Sequence, residues 1–173
     1  MGFFREFHDH NNFVKNLNAT FLVLIRKKRG TEDLRDFKPI SLVGGLDKWL
    51  AKVLTNRLKL VVGKVVSKAQ NAFVEGRQIL DVALVANKVI DLILKSNERA
   101  VICKLDIEKV YDHVDWSFLL SVMGMMGFGE KWLQWMWWRI STTSFSVLVN
   151  GTPLSFFQSS RGLRQEDSLS LYL

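Results

Sequence analysis

Two hydrophobic patterns alternate along the chain: short, nearly continuous apolar runs, and longer segments in which apolar positions recur at three- and four-residue steps. The first reads as buried strand and the second as amphipathic helix. Residues 19–25, ATFLVLI, are rich in β-branched and aromatic side chains and lead at once into Arg26, Lys27, Lys28, Arg29 and Gly30, which predicts a strand entering a basic turn. Lys38-Pro39-Ile40 forms a second short strand, because Pro39 keeps the residue before it extended. Together the two make a β-hairpin carrying cations.

After Gly44-Gly45, the positions Leu46, Trp49, Leu50, Val53, Leu54, Leu58, Val61 and Val62 define a helix, with Lys48, Lys52, Arg57 and Lys59 on its other face and Gly63 placed to end it. Gly76 and Arg77 stand just ahead of a second helix, whose apolar side carries Ile79, Val82, Ala83, Ala86, Val89, Ile90 and Ile93. Next comes an apolar run, Val101 to Leu105, broken only by Lys104 and ending on Asp106; it predicts a strand in which Cys103 packs as a small hydrophobe. Asp115 is placed to cap a helix from Trp116 to Met126 that Gly127 closes. A further helix, Glu130 to Ile140, holds four of the six tryptophans, most of them expected in the core. FSVLV over 145–149, then Asn150-Gly151, reads as a hairpin with a tight turn, and RGLRQED as a polar loop. Residues 3 to 17 suggest a short helix and loop.

Composition narrows the classes. With 173 residues, 48% hydrophobic and 24% charged, the chain suits one globular unit, or part of a larger one, and not a disordered segment. No apolar run reaches membrane-spanning length, so no membrane partner is expected. A net charge of +7 and a pI near 9.7 suit polyanionic partners such as nucleic acid, although an ordinary basic domain shares them. A single cysteine permits no disulfide within the chain, which fits the nucleus or cytoplasm, and no targeting signal is visible at Met1. His8 and His10 flank Asp9, but no second cluster completes a metal set. GLRQEDSLSLYL ends as the opening of an apolar element, so the chain is expected to be truncated.

The carboxylates carry the candidate chemistry. A strand that delivers Asp106 at its end is one way to hold a divalent metal over a sheet edge; equally, Asp106 could cap the next turn. Asp112, six residues on, reads as a structural cap.

Seven segments in order, NATFLVLIRKK, DLRDFKPISL, KWLAKVLTNRLK, QNAFVEGRQILD, KLDIEKVYDHVDW, FSVLVNGTP and RGLRQ, resemble the reverse transcriptase domain of non-LTR, LINE-type retrotransposons, especially those of plants. The resemblance implies an α+β fold in which helices pack on a small antiparallel sheet. It also implies part of a right-hand polymerase, with fingers and supporting helices over about 1–100 and an incomplete palm over about 101–173. It implies an RNA template, a DNA primer and deoxynucleoside triphosphates as partners, and Mg²⁺ as cofactor. In that chemistry two metal ions about 3.5–4 Å apart stabilise the attacking and leaving oxygens. Asp106 then matches the first catalytic aspartate and a metal ligand, and the Ile107 carbonyl helps hold a metal. Tyr111 matches the aromatic gate beneath the sugar; as a plain structural residue it is a packed palm aromatic. Lys27, and Lys38 in place of the usual Arg, match cations near the triphosphate. Gln165 matches the loop that contacts nucleotide and template, and Gly76 and Arg77 match a segment supporting the template strand.

Several positions depart from the family pattern. Arg26 and Val110 stand where Pro and Ala are usual, Glu166 replaces the Gly after Gln165, and Ser168 and Leu171 replace prolines. Glu166 adds bulk and negative charge where the nucleotide approaches, which predicts impaired nucleotide binding. The family's aromatic-x-Asp-Asp box would lie beyond Leu173, so the chain as written is expected to lack polymerase activity. Two other outcomes stand beside a polymerase by descent: a nucleic-acid-binding remnant without catalysis, and a pseudogene product with no selected role.

Overall fold

The apolar run at 19–25 lies in the middle of the sheet. As strand β1 (Ala19–Arg26) it pairs antiparallel with β2 (Phe37–Val43) on one edge and parallel with β3 (Ser144–Val149) on the other. Two short strands, β4 (Thr152–Pro153) and β5 (Phe157–Gln158), both pair antiparallel with β3. This computed structural model describes residues 18–30, 33–96, 99–101, 103, 105, 107, 109–165 and 167–173.

The basic hairpin forms as its pattern predicts, with Val23 opposite Ile40. The sheet as a whole is mixed where an antiparallel one was expected. A parallel pair needs a long crossover, and here the helices between β2 and β3 supply it. The tight turn after β3 also forms: Asn150 (φ 51) and Gly151 (φ 79) are both left-handed, the geometry that suits a two-residue hairpin.

Helix α1 (Gly45–Val65) runs past the expected stop at Gly63 and closes with Val66 N–H on the Val62 carbonyl. A Cβ at residue 63 would lie 3.4 Å from Val74 Cγ1, so this glycine serves close packing rather than termination. Helix α2 (Ile79–Ser96) has the predicted span but buries none of its residues. Beyond it lie α3 (Val110–His113), α4 (Trp116–Met125) and α5 (Glu130–Ser141). Asp115 caps α4 as predicted, accepting from Phe118 N–H at 2.8 Å.

The core gathers Leu50, Ala51, Leu54 and Leu58 of α1 against Leu119 and Met123 of α4, Trp135 and Met136 of α5, and Leu163 and Leu169. Each such large side chain contributes roughly 1.5–3 kcal/mol by leaving water. Of the four tryptophans in α5 only Trp135 is fully buried, Trp132 and Trp138 are half-buried, and Trp137 is exposed. Among the described residues, no helix is long and apolar enough to cross a membrane.

The strand expected over 101–105 does not form in its described members. Val101, Cys103 and Leu105 belong to no helix or strand and are exposed, Val101 at 94% and Leu105 at 86%. An apolar run expresses a preference for burial, but a strand also needs a pairing partner, and these described residues pair with no strand of the sheet. Cys103 is therefore a solvent-facing thiol, not a core residue. Asp106 and Glu166 lie outside the described residues, as do His8, His10 and the element expected over 3–17.

Candidate functional site

The polar loop after β5 docks on the short helix that follows Asp106 in sequence. Leu163 N–H donates to the Tyr111 carbonyl at 2.7 Å and Gly162 N–H to the Val114 carbonyl at 2.8 Å, while Trp116 Nε1 donates to the Gly162 carbonyl at 2.7 Å. Gly162 has φ +85, and a Cβ there would lie 3.0 Å from both the Tyr111 and Asp112 carbonyl oxygens. Only glycine combines this left-handed backbone with so close an approach. Three residues beyond Gly162, Gln165 Nε2 donates to Asp112 Oδ1 at 3.2 Å.

A buried ionic cluster anchors the same loop from behind. Arg164 Nη1 donates to Asp47 Oδ2 at 2.7 Å and to Thr20 Oγ1 at 3.1 Å. Arg139 Nη1 and Nη2 both meet the Asp47 carboxylate, and Nη2 also reaches Asp167 Oδ2 at 3.0 Å. Two guanidiniums and two carboxylates thus balance in a site where none of the four residues is more than 8% exposed. Asp47 belongs to the first turn of α1 and Arg139 to the last turn of α5, so each sits at the helix end whose dipole favours its charge. Burial pulls the Arg164 guanidinium below its ordinary pKa, and Arg139 acts in the same direction; Asp47 and Asp167 oppose both. The Asn18 side-chain amide completes the anchor, donating to the Arg139 carbonyl at 3.0 Å and to Thr142 Oγ1 at 2.9 Å.

Between this loop and the sheet lies a cleft of about 220 Å³, lined among others by Leu22, Pro39 and Ser41 from the hairpin and by Asp112, Arg161 and Gln165. Its more accessible polar groups include the Asp112 carboxylate, the Arg161 guanidinium and the Gln165 carboxamide, with the buried Arg139, Arg164 and Asp167 also in its lining and apolar walls from Trp116, Phe145 and Phe157.

The expected site residues are only partly brought together. Gln165 lines the cleft. Tyr111, by contrast, packs half-buried against the core. Lys38 pairs opposite Ile25 while Pro39 and Ser41 line the cleft, so the strand alternation sends Lys38 to the other face of β2. Lys27 Nζ donates to the Arg35 carbonyl at 3.2 Å, at the turn end of the hairpin. Gly76 has φ +77. Arg77 spends its guanidinium on three carbonyls, of Ser67 (2.7 Å), Gln70 (2.5 Å) and Gly63 (3.0 Å), which knit the segment before α2 onto the end of α1. Ile107 is exposed. Among the described residues, no three His, Cys, Asp or Glu side chains gather as a metal cage.

Asp112 departs from its expected role. The N-cap of α3 is Lys109, with φ 54, and the Asp112 side chain instead receives the Gln165 amide. Asp47 and Arg139 gave no signal as site residues, and Arg161 and Arg164 entered only as part of the RGLRQ segment. Isolated charges on amphipathic helices read as solvated, and only long-range contacts reveal otherwise.

The docked Gly-Leu-Arg-Gln loop and the Asp-bearing turn it faces both lie within the segment that the comparisons with known proteins recognise. Residues 25–173 match the family described as Reverse transcriptase (RNA-dependent DNA polymerase), and the chain belongs to that family. It is also similar to the Transposon TX1 uncharacterized 149 kDa protein of Xenopus laevis, with 28% identity over 152 residues, which covers 86% of this chain and 11% of that protein. The chain spans only about a ninth of that relative's length.

Proposed function

We propose that this chain supplies the nucleotide-facing part of an RNA-directed DNA polymerase domain from a non-LTR, LINE-type element of the plant kind. The observation that carries the reading is the docking of the Gln165 loop on the Tyr111–Asp112 turn, only a few residues after Asp106. In this reading Asp106 is the catalytic carboxylate, and with the Ile107 carbonyl it is the proposed holder of Mg²⁺. Gln165 meets the nucleotide and Lys27 attracts the triphosphate from the hairpin turn, while Tyr111 supports the loop through its carbonyl and Lys38 lies on the opposite face of β2. Gly76 and Arg77 support the template strand, Arg77 through the loop it staples. The binding partners are an RNA template, a DNA primer and deoxynucleoside triphosphates, and the place of action is the nucleus or cytoplasm.

A nucleic-acid-binding remnant without catalysis is a second reading, favoured by the exposed run Arg26 to Arg29 at the hairpin turn. The test is binding of a deoxynucleoside triphosphate to the chain on an RNA/DNA primer–template, with primer extension read in parallel. Nucleotide binding that weakens in Gln165→Ala supports the polymerase site. Salt-sensitive primer–template binding, with nucleotide affinity absent or indifferent to Gln165, supports the remnant.

A further inference from the structure

The loop that carries Gln165 is fixed on both sides of that residue. Arg164 and Asp167 are buried in the ionic cluster, and Gly162 and Leu163 are hydrogen-bonded to the α3 turn. What remains free is the Gln165 side chain itself, and the polar group that meets it is Asp112 Oδ1 at 3.2 Å. An ionised carboxylate only accepts hydrogen bonds, so the Gln165 group facing it must be the NH₂, and the carbonyl oxygen Oε1 is turned away. The second N–H of that NH₂ stays beside the carboxylate, whose charge repels any phosphate approaching it.

Resting on the polymerase reading above, we infer that Asp112 is a positioning residue: it orients the Gln165 carboxamide so that Oε1 faces the bound nucleotide and accepts from a hydroxyl or amino group of its sugar or base. Gln165 then distinguishes a nucleoside from bare phosphate. Triphosphate recognition falls to the cations, among which Arg161 is exposed on the same cleft.

Asp112 is exposed and outside the core cluster, so its variants keep the fold. The experiment titrates deoxyadenosine triphosphate and inorganic triphosphate into the chain on an RNA/DNA primer–template, comparing the parent with Asp112→Ala, Asp112→Asn and Gln165→Ala. The Gln165 side-chain NH₂ resonances, assigned by their loss in Gln165→Ala, are followed by NMR. Asp112→Ala is expected to weaken the nucleotide by about five- to tenfold, the worth of one lost hydrogen bond. Asp112→Asn, which keeps an acceptor oxygen, is expected to restore most of that loss. Inorganic triphosphate should bind no more weakly to either variant, and the Gln165 NH₂ signals should shift in Asp112→Ala and return toward parental positions in Asp112→Asn. The inference is overturned if Asp112→Ala binds nucleotide like the parent while Gln165→Ala does not, if Asp112→Asn is as weak as Asp112→Ala, or if inorganic triphosphate loses as much as the nucleotide. Should Gln165→Ala bind nucleotide like the parent, or the parent bind none, the polymerase reading fails and takes the inference with it.

Discussion

Arg164 Nη1 lies 2.7 Å from Asp47 Oδ2, joining the loop that carries Gln165 to the first turn of α1 across 117 residues of sequence. The Asp47 carboxylate also holds Arg139, so its loss leaves two buried guanidiniums with only Asp167 between them. Breaking a buried pair by removing one partner costs about 3–5 kcal/mol. Asp47→Asn should lower unfolding stability by about that amount in urea titration, and a loss under about 1 kcal/mol would mean that water already reaches the cluster.

Gly162→Ala tests the docking itself. The φ of +85 and the two carbonyl oxygens at 3.0 Å both oppose a Cβ. A strained left-handed backbone alone costs about 1–3 kcal/mol. The expected outcome is a destabilisation in that range together with faster hydrogen exchange at the Leu163 amide, whose bond to Tyr111 the added methyl displaces. Exchange unchanged at Leu163 would show that the turn moves to accommodate the methyl.

Arg77→Lys separates a local staple from a global one. An ammonium on a flexible stem cannot reproduce the planar fork that reaches three carbonyls at once. Because Arg77 is half-exposed and outside the core, global stability should change by less than about 1 kcal/mol. Chymotrypsin cleavage at Phe73, which is 52% exposed and sits at φ 59, should rise severalfold. Cleavage that stays at the parental rate would place the rigidity of this loop elsewhere.

Asp115→Ala removes the α4 cap, whose carboxylate accepts from Phe118 N–H at 2.8 Å. The expected loss is about 1 kcal/mol, with Asp115→Ser recovering most of that stability, measured by thermal denaturation. Equal losses in both variants would show that the side chain matters through charge and not through the cap bond.

The elements governed by short-range chemistry were legible in the sequence. The 19–25 run and Pro39 predict the hairpin of β1 and β2, Asp115 predicts the start of α4, and Asn150-Gly151 predicts the turn after β3. The family was legible through seven ordered segments, RGLRQ among them, and residues 25–173 match it. The run at 101–105 misled, because apolar content indicates a preference for burial and not the presence of a strand edge to pair with. Helix α2 shows the same limit: its periodicity forms an apolar face, and that face stays exposed.

By itself the sequence determined the basic hairpin, the start of α4 and the turn after β3, since caps, glycine turns and hydrophobic period act over a few residues. Only the tertiary structure decided that β3 joins β1 in parallel, that Asp47, Arg139, Arg164 and Asp167 share one buried cluster, and that Asp112 faces Gln165. These pairings join residues 28 to 125 positions apart. No local propensity encodes them, because they arise when separately formed elements pack and the charges they carry are left with one another instead of with water.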